Sequence, residues 1–192
     1  MTFTSGQLLR RSFVGALIAT AALAAQAQGA WPNKQVRIVI GFAPGGTTDV
    51  MARLIAQGLT EALGQTVIVD NKPGASGNLA AGEVVKATPD GYTVMIAPTS
   101  VETANPSLFK SAILPSRDLT PVMGIGRTQM YLITRPGLEV KDAKQLVALA
   151  KANPGKLSYA SAGTGTPPQL AGELFKQSTG TFITHVPYRG AA

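Results

Sequence analysis

The sequence contains no cysteine and a single histidine in 192 residues. Without cysteine there is no disulfide framework, no thiolate metal site and no cysteine nucleophile. The lone His185 leaves little for a Ser-His-Asp triad, the Gly-x-Ser-x-Gly nucleophile elbow is missing, and no spaced set of His, Asp and Glu residues indicates a metal site. His185 is interpreted as a packed or hinge residue, with a general base as the alternative. We expect no metal, no cofactor and no enzymatic activity.

Charged residues are also scarce, at 14% of the chain. No cluster of five or more Lys and Arg residues occurs, and no aromatic residues are interleaved with basic ones, so nucleic acid is not expected as a partner. The formal net charge of +7 is spread along the chain. A mild positive field of this kind suits small anions. The hydrophobic content of 45% is enough for one domain or two small ones.

The first 27 residues have the pattern of a cleaved secretory signal peptide. Arg10 and Arg11 form a basic segment, an apolar stretch follows at 13–25, and Ala25-Gln26-Ala27 has the small-x-small pattern of a cleavage site. A membrane anchor is the alternative, but the apolar stretch is shorter than the roughly 20 residues that span a bilayer. We therefore expect export to the periplasm and a mature chain that starts near Gln28, by either the Sec or the twin-arginine route.

The first half of the mature chain alternates strands and helices. Strands are predicted at 36–42, 66–69 and 92–97, and helices at 49–63 and 77–85. The β-branched run at 36–42 is typical of a strand that is buried on both faces of a parallel sheet. Met51, Ile55, Leu59 and Leu63 recur every four residues and predict one apolar helix face. Strands joined by helical crossovers predict an α/β doubly wound sheet.

The second half begins with interruptions at Asn105-Pro106 and Leu114-Pro115, which indicate a passage into a second lobe. Short strands are predicted at 122–125 and 129–134, followed by a helix at 142–153, a strand at 157–161, a helix at 168–178 and a strand at 182–186. We therefore predict a first α/β lobe at 28–102 and a second at 103–192.

The loop Gly41-Phe-Ala-Pro-Gly45-Gly46 joins the first strand to the first helix. It matches neither the Walker phosphate loop nor the Gly-x-Gly-x-x-Gly dinucleotide pattern, so phosphate is not specified. A glycine turn there can point free N–H groups outward at the positive end of a helix, which suits a carboxylate. A plain tight connection is the alternative. Asp49 is interpreted as a helix cap, or as a contact for a ligand ammonium group or water.

Two further loops have the same character. Ser161-Ala-Gly-Thr-Gly-Thr166 follows a strand and precedes Pro167-Pro168, which suit the first turn of a helix. Pro73-Gly-Ala-Ser-Gly-Asn78 is the third such loop, and Pro98-Thr99-Ser100 adds hydroxyl groups after the third strand. Loops at the carboxyl ends of parallel strands meet at one edge of a sheet. We therefore predict one shared anion site, clamped between two lobes.

Seven motifs occur in the order found in one known family: Trp31-Pro32, Gly41-Phe-Ala-Pro-Gly-Gly-Thr-Thr-Asp49 with Ala52-Arg53, Asp70-Asn-Lys-Pro-Gly74, Asp90-Gly-Tyr92, Asn105-Pro106, Ala150-Lys-Ala-Asn-Pro-Gly155 and His185-Val-Pro-Tyr-Arg-Gly190. From Trp31 to its end, the chain resembles the substrate-binding proteins of tripartite tricarboxylate transporters, also called the Bug family. The resemblance implies a monomeric periplasmic receptor with two lobes, of the type II or Venus flytrap architecture. Such receptors trap a small carboxylate in the interlobe cleft, partly through water bridges, and deliver it to membrane permease subunits without chemical change.

The resemblance also implies which residues bind the ligand, and it implies no catalytic or metal-binding residue. The implied ligand-binding residues come from both lobes: Phe42, Ala43, Pro44, Gly45, Gly46, Thr47, Asp49, Ser76, Asn78, Thr99, Ser100, Ala162, Gly163, Thr164, Gly165, Thr166 and Gln169. Gln169 stands where many members of the family have histidine. Members of the family also run considerably further than residue 192, so the second lobe is expected to be incomplete in this chain.

Three alternatives stay open at this point. An exported α/β hydrolase would need a nucleophile and a base, a structural or adhesive exported protein would need no ligand, and a truncated receptor would be non-functional. Which carboxylate is bound is beyond the sequence, because dicarboxylates, tricarboxylates, acidic amino acids and aromatic acids all present the same anionic group.

Overall fold

The structure, a computed structural model, describes residues 31–110 and 113–191. The predicted signal peptide lies outside the described residues. The strands are β1 (Val36–Ile40), β2 (Val67–Asn71), β3 (Thr93–Ile96), β4 (Ser158–Ser161) and β5 (Thr184–Pro187). The helices are α1 (Thr47–Leu63), α2 (Asn78–Lys86), α3 (Ser100–Thr103), α4 (Asn105–Leu108), α5 (Pro115–Asp118), α6 (Ala143–Ala152) and α7 (Pro167–Thr179), with a short 3-10 turn at Ala75–Gly77 before α2.

The first sheet is parallel, with the strand order β2-β1-β3. Val36 lies opposite Val67 on one side of β1, and Arg37 lies opposite Thr93 on the other. The crossovers between these strands run through α1 and α2. The predicted α/β class is therefore confirmed, and the predicted strand and helix positions in this half agree with the structure to within two residues.

The central strand β1 is buried on both faces, as its apolar composition predicted. Ile38 and Ile40 belong to a core cluster on the α1 side, with Ala52 and Val67. Val39 points to the other face and packs with two residues of α2. Side chains alternate across a strand, so a strand between two helical layers needs apolar residues at consecutive positions.

The apolar face of α1 is turned slightly from the predicted stripe. Ala52 and Ala56 are its innermost residues, at 0% and 6% exposure, while Ile55 and Leu59 pack at the margin of the same cluster. Small side chains at the innermost positions let the helix lie close to the sheet. The larger residues Ile55 and Leu59 therefore lie at the edge of the contact between α1 and the sheet, and the alanines lie at its centre.

The short helices α3, α4 and α5 stand where the sequence indicated only interruptions. Asn105 begins α4 with Pro106 in its first turn, and α5 begins at Pro115. Proline suits the first turn of a helix because its missing N–H would have no partner there. Leu119, which follows α5, packs against the cluster that Val39 forms with α2 on the other face of the first sheet. The predicted lobe boundary at 102 and 103 stays a prediction, and this contact favours a later one.

The strands predicted at 122–125 and 129–134 are wrong, because residues 120–134 contain neither strand nor helix. Their side chains are exposed, with Val122 and Ile133 each at 85%. A strand needs a neighbouring strand to satisfy its N–H and C=O groups. No other described segment pairs with this one, so its apolar composition alone does not make it a strand.

The second sheet consists of β4 and β5, which run parallel, with Tyr159 opposite His185. The predicted helices and strands of this part are confirmed as α6, β4, α7 and β5, each to within two residues of its predicted ends. Leu146 and Ala150 are the buried residues of α6. None of the helices in the described part of the chain is long and apolar enough to cross a membrane.

Candidate functional site

The first glycine loop, at 41–46, packs directly on the third, at 73–78. A Cβ atom added to Gly41 would lie 2.2 Å from the Cα atom of Gly77. No side chain fits at such a distance, so the loop that follows β1 and the loop that follows β2 can touch only through glycine backbone. The structure therefore brings two of the three predicted loops together at the carboxyl edge of the first sheet, as the sequence predicted.

Asp49 holds the first loop from inside. Its carboxylate is 3% exposed and accepts the Gly45 amide N–H at 3.0 Å. The guanidinium of Arg53 donates to both carboxylate oxygens, at 2.9 Å each, and the side-chain amide of Asn71 donates to Oδ1, also at 2.9 Å. The same amide group of Asn71 donates to the carbonyl oxygen of Phe42 at 3.0 Å. Asp49 and Asn71 thus hold the loop at two backbone groups, the Gly45 amide and the Phe42 carbonyl oxygen.

The charge of Asp49 is stable in this setting. The Arg53 guanidinium, aided by the Gly45 amide and Asn71, holds the pKa of the Asp49 carboxyl well below its usual range, although burial opposes this. A carboxylate that receives several hydrogen bonds resists protonation. Asp49 is therefore ionised throughout the neutral range, and its acceptor oxygens are used within the protein.

The amide groups at the start of α1 remain open. No described residue accepts a hydrogen bond from the N–H groups of Thr47, Thr48 or Asp49, and Gly46, the residue before the helix, provides no side-chain cap. These groups carry the partial positive charge of the helix N-terminus. An anion placed there would satisfy donors that the protein leaves unsatisfied.

The second loop is organised by Ser161, Gly163 and Thr166. The Gly163 amide donates to Ser161 Oγ at 3.1 Å, and the Thr166 hydroxyl donates to the Gly163 carbonyl oxygen at 2.6 Å. Thr166 is only 1% exposed. Its side chain therefore shapes the loop from within, whereas Thr164 is exposed. Contact of either residue with a ligand stays a prediction.

Helix α7 begins with two prolines, Pro167 and Pro168, which have no N–H to offer. The first open amide of this helix is that of Gln169, whose side-chain Oε1 accepts the Gly165 amide at 3.1 Å. The second loop therefore presents fewer backbone donors than the first. The glycine and hydroxyl residues of the two loops predict equivalent helix starts, and the proline pair is the sequence signal that distinguishes them.

The third loop contacts the second loop across the two lobes. Ser76 Oγ donates to the carbonyl oxygen of Thr164, and the side-chain amide of Asn105 donates to the carbonyl oxygen of Ser76 at 3.2 Å. The predicted site residue Asn78 is engaged differently, because its Oδ1 accepts the Ile113 amide at 2.8 Å. Ser76 thus lies at the junction of the lobes, and Asn78 anchors the segment that leads to α5.

The segment that follows β5 lies between the first two loops, which sequence reasoning did not assign to the site. The Ala43 amide donates to the carbonyl oxygen of Arg189 at 3.3 Å. A Cβ atom on Gly46 would lie 3.4 Å from the Ala191 amide nitrogen, and one on Gly163 would lie 3.1 Å from the Tyr188 carbonyl oxygen. The motif that ends at Gly190 was recognised for the family resemblance, but its spacing gave no sign of this position.

Two polar atoms near these loops lack a hydrogen-bond partner among the described residues. They are Ser100 Oγ and Asn105 Oδ1, in residues that are 2% and 0% exposed. A Cβ atom on Gly165 would lie 3.4 Å from that Asn105 oxygen, which places it against the second loop. Buried polar groups in folded proteins nearly always have a partner, so these two atoms are candidates for a hydrogen bond to a water or a ligand group. Thr99, the residue before Ser100, is exposed.

His185 contacts a serine that sequence reasoning did not pair with it. The distance from Ser161 Oγ to His185 Nε2 is 2.7 Å, and the imidazole stacks on the Tyr159 ring at 4.9 Å between centroids. The Tyr159 hydroxyl donates to Glu173 at 2.6 Å, and burial together with Glu173 raises the pKa of Tyr159. No described carboxylate bonds to His185, so the arrangement is a pair and lacks the third member of a triad.

Two other features lie outside this cluster. A shallow depression of about 440 Å³ lies between α1 and β2, lined by Arg53, Gln57 and Thr60 among others, and no predicted ligand-binding residue borders it. Among the described residues, no three His, Asp or Glu side chains group in a way that could hold a metal ion. Unlike the depression between α1 and β2, the predicted carboxylate site combines loops from both lobes.

Comparison with known proteins places this geometry in a family. Residues 51–192 match the tripartite tricarboxylate transporter family receptor. The chain is 39% identical over 189 residues to a UPF0065 protein of Bordetella pertussis, covering 96% of this chain and 57% of that protein. It is 35% identical over 185 residues to the protein BugT of the same organism, covering 93% and 56%. The chain thus spans about half the length of these relatives.

Solved structures agree with this assignment. The R. palustris protein Rpa4515 with adipate has a TM-score of 0.74 and 38% identity, covering 83% of this chain and 54% of that one. MatC from Rhodopseudomonas palustris with bound malate has a TM-score of 0.69 and 29% identity, covering 83% and 55%. The parallel sheets, the glycine loops at their carboxyl edges and these matches lead to one conclusion: the chain belongs to the tripartite tricarboxylate transporter receptor family.

Proposed function

We propose that the protein is an extracytoplasmic solute receptor that captures a small carboxylate between its two lobes and delivers it to the membrane subunits of a tripartite tricarboxylate-type transporter. The observation that carries this proposal is the set of open amides at Thr47, Thr48 and Asp49. They form the positive end of a helix at the edge where loops of both lobes converge. The receptor family and the carboxylates bound to two relatives support the same conclusion.

The ligand class follows from what the loops offer. The first loop supplies N–H donors and, beside them, a charge that is already balanced, because Arg53 neutralises Asp49. Asn105 Oδ1 is an acceptor and could pair only with a ligand hydroxyl or a water, but the buried Ser100 hydroxyl is a further donor. Donors of this kind bind an anionic oxygen without needing a cationic side chain. A dicarboxylate such as adipate or malate would present one carboxylate to the first loop and its other end to the second.

We further propose that the protein acts in the periplasm, as a monomer and without a cofactor, after removal of the first 27 residues. The pattern of the N-terminal 27 residues supports export, and membership of the receptor family supports this location. Expression of the chain in a Gram-negative host followed by N-terminal sequencing of the periplasmic fraction tests this. A start near Gln28 is expected, and full-length protein in the membrane fraction would contradict it.

Ligand binding is tested by a thermal-shift screen of the chain with adipate, malate, citrate and nicotinate, with adipamide as the uncharged control. A carboxylate at a hundredfold excess over its dissociation constant should stabilise the protein by about 2.7 kcal/mol. Adipamide should give no shift, because it lacks the anionic oxygens that the open amides attract. If no carboxylate raises the melting temperature, the receptor function proposed for this chain is wrong.

One observation favours a second candidate, an exported hydrolase. Ser161 and His185 form a pair at 2.7 Å, which is the distance between a nucleophile and its base. Against it, Ser161 is 7% exposed and its hydroxyl is also shared with the Gly163 amide and carbonyl groups. Hydrolysis of p-nitrophenyl acetate that disappears in Ser161→Ala would favour the hydrolase. We expect no turnover above that of the variant.

A further inference from the structure

The two glycine loops contain the same contact at equivalent positions. Gly45 and Gly165 have positive φ angles of 89° and 82°. The amide of each donates to the side chain four residues later, at 3.0 Å to Asp49 Oδ2 and at 3.1 Å to Gln169 Oε1. Asp49 and Gln169 each occupy the third position of the helix that follows its loop. The two lobes therefore share this contact, although one acceptor is charged and the other is neutral.

This contact removes one amide of each loop from the cleft. A carboxylate ligand has only acceptor oxygens, and an N–H group that already donates to Asp49 or Gln169 is not free for it. The positive φ turns the glycine peptide toward the helix, which only glycine adopts without cost. The neighbouring amides of Thr47 and Thr48 have no partner among the described residues.

The charged acceptor of the first loop, Asp49, opposes the binding of an anion, whereas the neutral acceptor of the second loop, Gln169, does not. Asp49 is 3% exposed and lies next to the amides that would receive the ligand, so its negative charge repels a carboxylate. Arg53 offsets this charge through two hydrogen bonds of 2.9 Å to the two carboxylate oxygens. Gln169 provides the same acceptor in the second loop without a charge, and the hydrogen bonds of that loop include no cation.

We propose that Asp49 and Gln169 are positioning residues that hold the Gly45 and Gly165 amides away from the ligand, and that Arg53 acts as the counter-ion that makes the first loop compatible with an anion. The inference rests on the proposed receptor function and assigns different roles within its site. The side chains of Asp49 and Gln169, with the amides of Gly45 and Gly165, shape the loops, and the ligand contacts fall to the open backbone amides of Thr47, Thr48 and Asp49.

Binding of adipate to the chain and three variants tests the charge argument. Arg53→Met leaves Asp49 uncompensated and should weaken adipate binding about tenfold, more at low salt than at high salt. The double variant Asp49→Asn with Arg53→Met removes both charges, keeps an acceptor for Gly45 and should return affinity to within about threefold of the parent. Gln169→Glu places an uncompensated carboxylate in the second loop and should weaken binding about tenfold as well.

A purely structural role for Arg53 predicts a different pattern. Arg53→Met would then weaken binding with no dependence on salt, and the double variant would bind no better than the single one. Either result overturns the counter-ion assignment. Unchanged adipate affinity in both Arg53→Met and Gln169→Glu overturns it too.

Amide hydrogen exchange in the chain without ligand separates this inference from the receptor function. The Gly45 amide should be protected in the parent and in Asp49→Asn and should exchange faster in Asp49→Ala, while Gln169→Ala should expose the Gly165 amide alone. If adipate does not bind the parent, the receptor function fails for this ligand and exchange decides the positioning role by itself. If Asp49→Ala does not fold, Gln169→Ala and Gln169→Glu still decide it. Unchanged exchange at Gly165 in Gln169→Ala overturns the proposal.

Discussion

The first and second glycine loops follow similar backbone paths, but they offer a ligand different groups. Both turn at a positive-φ glycine whose amide donates to the third residue of the next helix. The first leaves the amides of Thr47, Thr48 and Asp49 open, whereas in the second Pro167 and Pro168 remove the first two corresponding donors and leave only that of Gln169. One lobe therefore provides several backbone N–H groups at a helix end, and the other provides fewer of them beside the exposed Thr164, because its Ser161 and Thr166 hydroxyls bond within the loop.

This difference indicates a division of roles between the lobes. An anionic oxygen gains most from several donors at the positive end of a helix, which only the first loop retains. The second loop contacts the first lobe through Ser76 and Thr164 and adjoins the buried Asn105. If the proposed receptor function holds, the first lobe would bind the carboxylate and the second would contact the rest of the ligand.

The largest expected difference between the loops concerns stability. Asp49→Ala removes a buried acceptor of hydrogen bonds from Gly45, Arg53 and Asn71 and should lower the free energy of unfolding by about 3 kcal/mol. Gln169→Ala removes the neutral hydrogen bond from the Gly165 amide and a side-chain contact with Glu173, and it should lower the free energy of unfolding by about 1 kcal/mol. Urea unfolding of both variants measures the difference. Equal losses would show that the two acceptors contribute alike.

A proline at position 47 would make the start of α1 resemble the start of α7. Thr47→Pro removes one open N–H at a position where proline fits, since the preceding Gly46 is extended with ψ of 169°. Adipate affinity should fall about tenfold while stability changes little, because the lost donor is used only by the ligand. Thr47→Ala, which keeps the N–H and loses the hydroxyl, is the control for calorimetric titration. Loss of binding in the control would assign the contact to the hydroxyl instead.

The two loops should respond alike where they share a contact. Gly45→Ala and Gly165→Ala force a Cβ atom onto a positive φ, and each should cost about 1 kcal/mol of stability. The new Cβ at residue 165 also meets Leu108 Cδ1 at 2.5 Å, but that side chain is 46% exposed and can turn aside. Thermal unfolding measures both. A cost at only one position would mean that the loops do not share this backbone conformation.

The smallest expected effect concerns the pH dependence of stability and appears only at acidic pH. The pKa of Asp49 is lowered by Arg53, so its stabilising contribution is complete above the unfolded value of about 3.9 and is lost as pH falls below it. Asp49→Asn cannot ionise, so the stability gap between parent and variant should narrow between about pH 5 and pH 2. Gln169→Ala should keep a constant gap over this range, because Gln169 does not titrate. A constant gap for Asp49→Asn as well would contradict the lowered pKa.

Local sequence signals predicted the elements around these loops well. The β-branched run of β1 and the proline and glycine signals around α7 required no knowledge of distant residues. The segment at 120–134 shows the limit of such signals, because its apolar residues suggested strands that no described partner completes. Strand formation depends on a neighbour, whereas a helix satisfies its own backbone. The same limit hid the pairing of Ser161 with His185, which lie 24 residues apart and meet across two parallel strands.

The sequence by itself determined the α/β class, the positions of the glycine loops and, through the order of its motifs, the family. It did so because periodicity, turn residues and motif order are local properties of the chain. Only the tertiary structure decided which loop amides are open and which donate to Asp49 or Gln169, and it alone placed Arg189 beside Ala43. Hydrogen bonds depend on distances and angles between groups that folding brings together, and spacing along the chain does not specify them.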